Sequence, residues 1–419
     1  MDSFRFVHAA DLHIDSPFAG VGDADNRVAT RLREATYEAF QNLVDLCINQ
    51  NADFLVIAGD VYDGADRSVR AQLRFREGLS KLADKGIKSF VVHGNHDPLD
   101  GWQSSISWPE GVHIFGAIPE WKNFEKNGEV VAAVQGMSYP TREVTENLAT
   151  QFTPPESPSL FAIGLLHANV GANSAHPNYA PCSVEDLLES GIDYWALGHV
   201  HTRQTLKRSA PVIAYPGNTQ GRHPNETGAR GALVVNVDPS GASRSDFVAL
   251  DVVRWERSDI DISNLETIDS LDSAIRQATD NLSVEAEDRD VVCRLTLVGR
   301  GPLHEQLSAD GAVMDLLDAV RGTWSGGGSP WVWVERIVDS TRPAIDIESR
   351  AKQDDFLGAT LKRALLSSFE SDEIDRLTKV VSDVYTGRRH GLAKPSDEQV
   401  SAWVEEASWY LAELLEQNK

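Results

Sequence analysis

The sequence predicts an α/β protein built on a parallel sheet, followed by a small α+β unit and a helical tail. Three observations carry that expectation. Short apolar runs at residues 4–7, 54–58 and 89–92 have the length of buried strands, and amphipathic helical patterns at 28–49 and 69–85 lie between them. Strands alternating with helices pair in parallel, with both faces of the sheet covered. Beyond residue 254 the pattern changes, first to shorter mixed segments and then to helices alone.

Further strands are expected at 112–115, 131–135, 161–166, 194–197, 232–237 and 247–253. Ser183 with Asp186 forms a capping pair for a helix over 184–189, which Gly191 would end. The segment 153–158, rich in proline, reads as a loop inside this first domain. Helices are expected at 265–282 and 303–309, and strands at 291–297 and 331–338. The domain boundaries read as 1–254, 255–348 and 349–419. In the last region Phe356, Leu357, Leu361, Leu365 and Phe369 recur at helical spacing, as do Trp403, Ala407, Tyr410 and Leu414. A packed helical pair explains both stripes most simply, and a docking surface for a partner is the alternative. Gly326–Gly328 lacks the Lys-Ser/Thr of a phosphate-binding loop, so no ATP site is expected here.

The chemistry lies in five short motifs: Asp11-Leu12-His13, Gly59-Asp60, Gly94-Asn95-His96-Asp97, His167 and Gly198-His199-Val200-His201. Each closes a strand-like run, at the sheet edge where open α/β folds place ligands. Taken singly, each is as well explained by a core histidine or a turn aspartate. As an ordered set they supply carboxylate, amide and imidazole donors from several segments, which a pair of divalent cations requires. Glycines at 59, 94 and 198 suit tight strand exits where backbone approaches an ion. His96 is left over as a proton donor or charge stabiliser. Asp15 and Asp63 are candidates for orienting imidazoles, with turn capping an equal reading. His8, His93, His113 and His176 read as structural or solvent-exposed.

This motif series resembles the calcineurin-like metallophosphoesterase superfamily. The flanking words at 8–18 (HAADLHIDSPF) and 215–223 (YPGNTQGRH) resemble its SbcD/YhaO-like branch of DNA-repair exonucleases. The resemblance covers roughly the first 230 residues. It implies a four-layer αββα domain with a small α+β capping domain and a helical C-terminal tail. It also implies that Asp11, His13, Asp60 and His201 hold one ion, and Asp60, Asn95, His167 and His199 the other. Both ions would be Mn2+, although the donor set tolerates iron or zinc. The implied catalytic pair is His96 with Asp97 orienting it. The implied reaction is phosphodiester hydrolysis of DNA, with a large SMC-like coiled-coil ATPase (SbcC/YhaN-like) as partner and homodimerisation as a further expectation.

Charge opposes a broad DNA-binding face. The chain of 419 residues carries a net charge of -24, so phosphate contact would need a local basic patch or a partner. Arg203, Lys207, Arg208, Arg222 and Arg230 cluster with Glu226 as their single opposing acid. Arg222 and His223 are therefore candidate substrate contacts, with solvated loop charge an equal explanation. The alternatives that stay open are a small-molecule phosphodiesterase or phosphatase, and a scaffold for the ATPase partner with secondary catalysis. Cys47, Cys182 and Cys293 are scattered and form no CxxC pair, the pattern of a reduced cytoplasmic protein. Neither a signal peptide nor a membrane-spanning run is visible.

Overall fold

Two six-stranded sheets pack face to face, and every motif strand belongs to one of them. The coordinates are a computed structural model, which describes residues 1–16, 18, 26–64, 68–101, 106–171, 179–322, 330–365, 376, 378–380 and 395–416. Gly326–Gly328, His176 and Phe369 lie outside the described residues. The first sheet has the order β12 (Ser243–Ala249), β11 (Gly231–Val237), β1 (Phe4–Ala9), β2 (Phe54–Ala58), β3 (Lys88–Val92), β4 (Val112–Ile114). The second runs β5 (Glu120–Lys126), β6 (Glu129–Met137), β7 (Phe161–His167), β8 (Tyr194–Gly198), β10 (Val212–Tyr215), β9 (Gln204–Lys207). Pairing is parallel from β1 to β4 and from β6 through β8 to β10, with antiparallel strands at the edges.

The alternation of side chains along each strand builds four layers. In β2, Phe54, Val56 and Ala58 face the second sheet, while Leu55 and Ile57 face the helical layer. That layer is α1 (Asn26–Asn49) and α2 (Val69–Ala83), which contribute Phe40, Leu43, Val44, Phe75 and Leu79. In β8, Tyr194 and Ala196 face inward, and Trp195 and Leu197 meet the outer layer that includes α3 (Val184–Leu188). The inter-sheet layer is rich in aromatics: Phe6 stacks on Phe54 at 5.2 Å and Phe124 lies 4.7 Å from Phe54. Each such ring contributes about 1.5–3 kcal/mol by leaving water. Ser183 and Asp186 do cap α3 reciprocally. The αββα expectation for this part of the chain is met.

A third sheet pairs β13 (Val253–Asp261), β14 (Asp290–Val298) and β15 (Val332–Asp339). Residues 247–253 are not one strand. The chain breaks between β12 and β13, where Leu250 and Asp251 both donate backbone N–H to the Arg230 carbonyl and buried Asp251 binds the Arg254 guanidinium. Helices α4 (Ile268–Glu285), α5 (His304–Leu307) and α6 (Ala312–Gly322) accompany this sheet. By compactness the chain forms two units: Met1–Ser258 with Gln277–Leu295 and Leu317–Arg336, and Asp259–Arg276 with Thr296–Leu316 and Ile337–Lys419.

In the second unit, α7 (Ile347–Arg350), α8 (Phe356–Leu365) and α9 (Asp397–Glu416) bury Ile347, Leu357, Leu361 and Ala412 together. The expected packing stripe is corrected here. Trp403, Tyr410 and Leu414 are 41%, 58% and 42% exposed, and Phe356 is 76% exposed. The face of α9 toward α8 is the one that carries Ala412, with Trp409 and Leu411 beside it. Among the described residues no helix is long and apolar enough to cross a membrane.

Candidate metal centre

The five motifs meet because the strands that end in them are parallel and present their carboxyl ends on one edge. Asp11 and His13 follow β1, Asp60 follows β2, Asn95 and His96 follow β3, His167 ends β7, and His199 and His201 follow β8. The exits are tight. Asp11, His13, Asp60 and His199 have φ of +52°, +42°, +52° and +101°, a left-handed backbone that costs a non-glycine residue on the order of 1 kcal/mol or more. Cross-strand bonds hold it in place: Asp11 N donates to Gly59 O and His13 N to Asp60 O, both at 3.0 Å. A Cβ on Gly198 would lie 1.8 Å from the Ala58 carbonyl oxygen, so glycine is required there for the two sheets to approach.

The donor atoms then converge. His13 Nε2 and His201 Nε2 are 3.2 Å apart. On the other side, Asn95 Oδ1 lies 3.0 Å from His167 Nε2 and 3.2 Å from His199 Nδ1. Asp60 Oδ2 sits between the two groups, 3.3 Å from His167 Nε2 and 3.9 Å from His13 Nε2. Donors about 2.0–2.2 Å from a shared cation and at right angles to one another lie roughly 3 Å apart. Among the described residues three sets, Asp11–His13–His201, Asp11–Asp60–His167 and His13–Asp63–His96, each place one ligand atom per residue within 4.8 Å of the others, so each could hold an ion.

Burial sharpens the electrostatics. Asp11, His13, Asp60, Asn95, His167 and His199 are all buried, and buried carboxylates need compensating positive charge. Desolvation raises the pKa of Asp11. Burial also opposes charge on His167, yet Asp60 and Asp11 outweigh it and push that imidazole up to about 9. The site therefore favours positive charge where a cation would sit.

Second partners set the imidazole orientations. His167 Nδ1 is 2.9 Å from the Ala58 carbonyl oxygen, and His201 Nδ1 is 2.5 Å from Glu226 Oε1. His96 Nδ1 is 2.7 Å from Asp63 Oδ1, and its ring is 33% exposed. Burial lowers the pKa of His96, but the Asp63 hydrogen bond and the charges of Asp60 and Asp63 leave it raised overall. The expectation that Asp97 orients His96 is therefore corrected. The Asp97 carboxylate turns inward, accepting from Gly94 N at 2.8 Å and Val61 N at 2.9 Å, and pairs with His93 Nδ1 at 2.9 Å. The adjacent carboxylate satisfies backbone donors of its own loop and of the exit from β2, and Asp63 takes the neighbouring ring.

Arg222 lies in this network too. Its Nη1 donates to Ser16 Oγ and, at 3.0 Å, to Asp63 Oδ2. His223 is exposed, its Nδ1 accepting from Asn225 N. Arg230 is buried on the His201 carbonyl, and Arg203 stacks over Phe247, so the basic cluster is largely committed within the fold. Asp15 Oδ2 accepts from Ser68 Oγ at the start of α2, away from the imidazoles. Buried His8 bonds Tyr194 Oη and the Leu197 carbonyl. Glu226 and Ser16 join the site without being candidates for it from the sequence. Glu226's isolation among basic residues was its one available signal.

Comparison with known proteins agrees with this geometry. Residues 4–203 match the calcineurin-like phosphoesterase family, and residues 255–342 match the middle domain of the metallophosphoesterase YhaO. The chain is 36% identical over 343 residues to the uncharacterized metallophosphoesterase YhaO of Bacillus subtilis (strain 168), covering 81% of this chain and 83% of that protein. It is 24% identical to the D component of the nuclease SbcCD of the same organism, over 60% of this chain and 72% of that one. With the DNA double-strand break repair protein Mre11 of Thermoplasma acidophilum it shares 27% identity over 45% and 51% of the two chains.

Proposed function

The chain belongs to the calcineurin-like metallophosphoesterase family, and from that premise we propose that it is a two-metal phosphodiester hydrolase acting on DNA. The observation that carries the reading is the convergence of His13 and His201 through Nε2 at 3.2 Å, beside Asp60 and opposite Asn95, His167 and His199. Asp11, His13, Asp60 and His201 would hold one ion and Asp60, Asn95, His167 and His199 the other, with Mn2+ in both places. When bound, such a pair acidifies water and offsets charge on the phosphate. The chain's own contribution is positional and acid–base. Asp63 engages Nδ1 of His96, so the proton available for the departing sugar oxygen is on Nε2. Asp97 holds the loop that carries His96 through Gly94 N and pairs with His93.

Residues 255–348 serve as a capping unit and 349–419 as the docking region for an SMC-like ATPase, in a cytoplasmic DNA-repair nuclease. The names of the SbcCD and Mre11 relatives support the DNA substrate, and three buried free thiols suit a reducing compartment. The net charge of -24 favours a second reading, a small phosphodiester in place of DNA. The test is Mn2+-dependent hydrolysis of end-labelled duplex and single-stranded DNA beside bis-p-nitrophenyl phosphate, by wild type and His96→Ala. DNA cleavage lost in the variant, with both ions still bound, is expected. Cleavage of the small ester alone would favour the second reading, and metal loss in His96→Ala would make His96 a ligand.

A further inference from the structure

Arg222 stands in the loop between β10 and β11, where sequence alone suggests a phosphate contact. Its side chain is only 13% exposed and its Nη1 is engaged by protein groups, while its buried Nε has no hydrogen-bond partner among the described residues. Nη1 meets Ser16 Oγ and Asp63 Oδ2, and Ser16 Oγ itself donates to the same Asp63 oxygen at 2.5 Å. The other Asp63 oxygen faces His96 Nδ1 at 2.7 Å. One carboxylate is thus held from behind by Arg222 and Ser16 and holds His96 in front. The backbone N of Arg222 also donates to Glu226 Oε2 at 2.7 Å, while Glu226 Oε1 meets His201 Nδ1. A single loop therefore braces two imidazoles of the site, each through a carboxylate.

We propose that Arg222 is a positioning residue, which locks the Asp63 carboxylate in the rotamer that orients His96, and that it does not bind substrate phosphate. The proposal rests on His96 acting in the hydrolysis described above. An unbraced Asp63 has two alternatives within reach. It can rotate toward His13, whose Nδ1 lies 3.7 Å from Oδ1 and has no hydrogen-bond partner, or toward water. Either leaves His96 free to turn, and misplacement of an acid by about 1 Å is enough to slow a reaction roughly 100-fold.

The test combines kinetics with a readout that needs no turnover. With a dinucleotide phosphodiester, whose departing sugar oxygen needs the proton, Arg222→Gln should lower kcat roughly 10- to 100-fold at nearly unchanged KM, the usual scale for loss of an orienting partner. Arg222→Lys, which keeps a cation behind Asp63, should recover most of that loss. In an Asp63→Asn background, Arg222→Gln should have little further effect, because both substitutions break one chain of contacts. Histidine-labelled full-length protein should show the hydrogen-bonded Nδ1 proton of His96 by NMR in wild type and Arg222→Lys, and lose it in Arg222→Gln. A raised KM with kcat preserved, additive effects in the double variant, or an unchanged His96 proton in Arg222→Gln would each overturn the proposal. If wild type hydrolyses nothing, the functional reading fails, while the NMR signal still decides whether Arg222 positions His96.

Discussion

Replacing Gly94 with alanine tests the metal centre without straining the backbone, because Gly94 lies outside the left-handed region. The added methyl would sit 2.3 Å from Asp60 Oδ1 and 2.9 Å from both Cδ2 and Cε1 of His167. Reaching a tolerable contact of about 3.0–3.4 Å requires a shift of roughly 0.7–1.1 Å. Asp60 has little room for it. Its Oδ1 already accepts from His96 N at 2.9 Å, and its Oδ2 lies 3.3 Å from His167 Nε2. Metal sites hold ligand distances to within about 0.2 Å, so the displacement exceeds the tolerance several-fold. Mn2+ affinity should fall at least ~100-fold, about 2.7 kcal/mol. Overpacking should remove about 1–3 kcal/mol of fold stability as well. Calorimetric titration of metal-stripped protein reads the first quantity. The rise in Tm on adding Mn2+, present in wild type and lost in the variant, gives an independent check. A folded Gly94→Ala protein that binds two ions with wild-type affinity would refute Asp60 as the shared ligand.

Three further outcomes are expected. Asp97→Asn should cost roughly 2–3 kcal/mol in urea unfolding, because a fully buried carboxylate serving Val61 N, Gly94 N and His93 loses an acceptor; an unchanged midpoint would contradict its structural role. Phe54→Ala, at the centre of the inter-sheet aromatic layer with Phe6, Phe90 and Phe124 around it, should cost about 3–5 kcal/mol; a loss below about 1 kcal/mol would mean that the layer is not close-packed. Burial holds His8 neutral, lowering its pKa from 6.5 to about 3. The unfolded chain therefore binds more protons between those values, and stability present above pH 6.5 is lost as pH falls toward 3. Between pH 6.5 and about 4.5 this one group should remove about 2 kcal/mol. The pH dependence of urea unfolding should flatten by that amount in His8→Gln, and an equal slope in both proteins would exclude the assignment.

The long buried strands were legible because the signal is local. The run at 54–58 is apolar at every position, and its neighbours carry strong helical periodicity, so β2 and its flanking helices follow. Two edge strands of the second sheet were not. β5 reads EWKNFEK and β9 reads QTLK, polar and partly exposed, and only pairing with β6 and β10 makes them strands. The turn at Leu250–Val252 was missed for a related reason: what interrupts the apolar run is the carbonyl of Arg230, far away in the chain.

For the candidate site, residue types and the spacing of motifs determined which donors are available. Parallel strands determined that they share an edge. Both properties are local or set by topology, so the side chains that converge at this edge could be named from sequence. Which carboxylate serves which imidazole was decided only in three dimensions. Asp97 is next to His96 in the chain yet bonds His93 and its own loop, while Asp63, from the end of another strand, reaches His96. Arg222 looks like a free cation in sequence and is committed to Asp63, and Glu226, apparently a stray acid, orients His201. Hydrogen-bond partnership depends on direction and on distances of a few tenths of an ångström. Those are set by the packing of two sheets and a loop against each other, which local sequence does not encode.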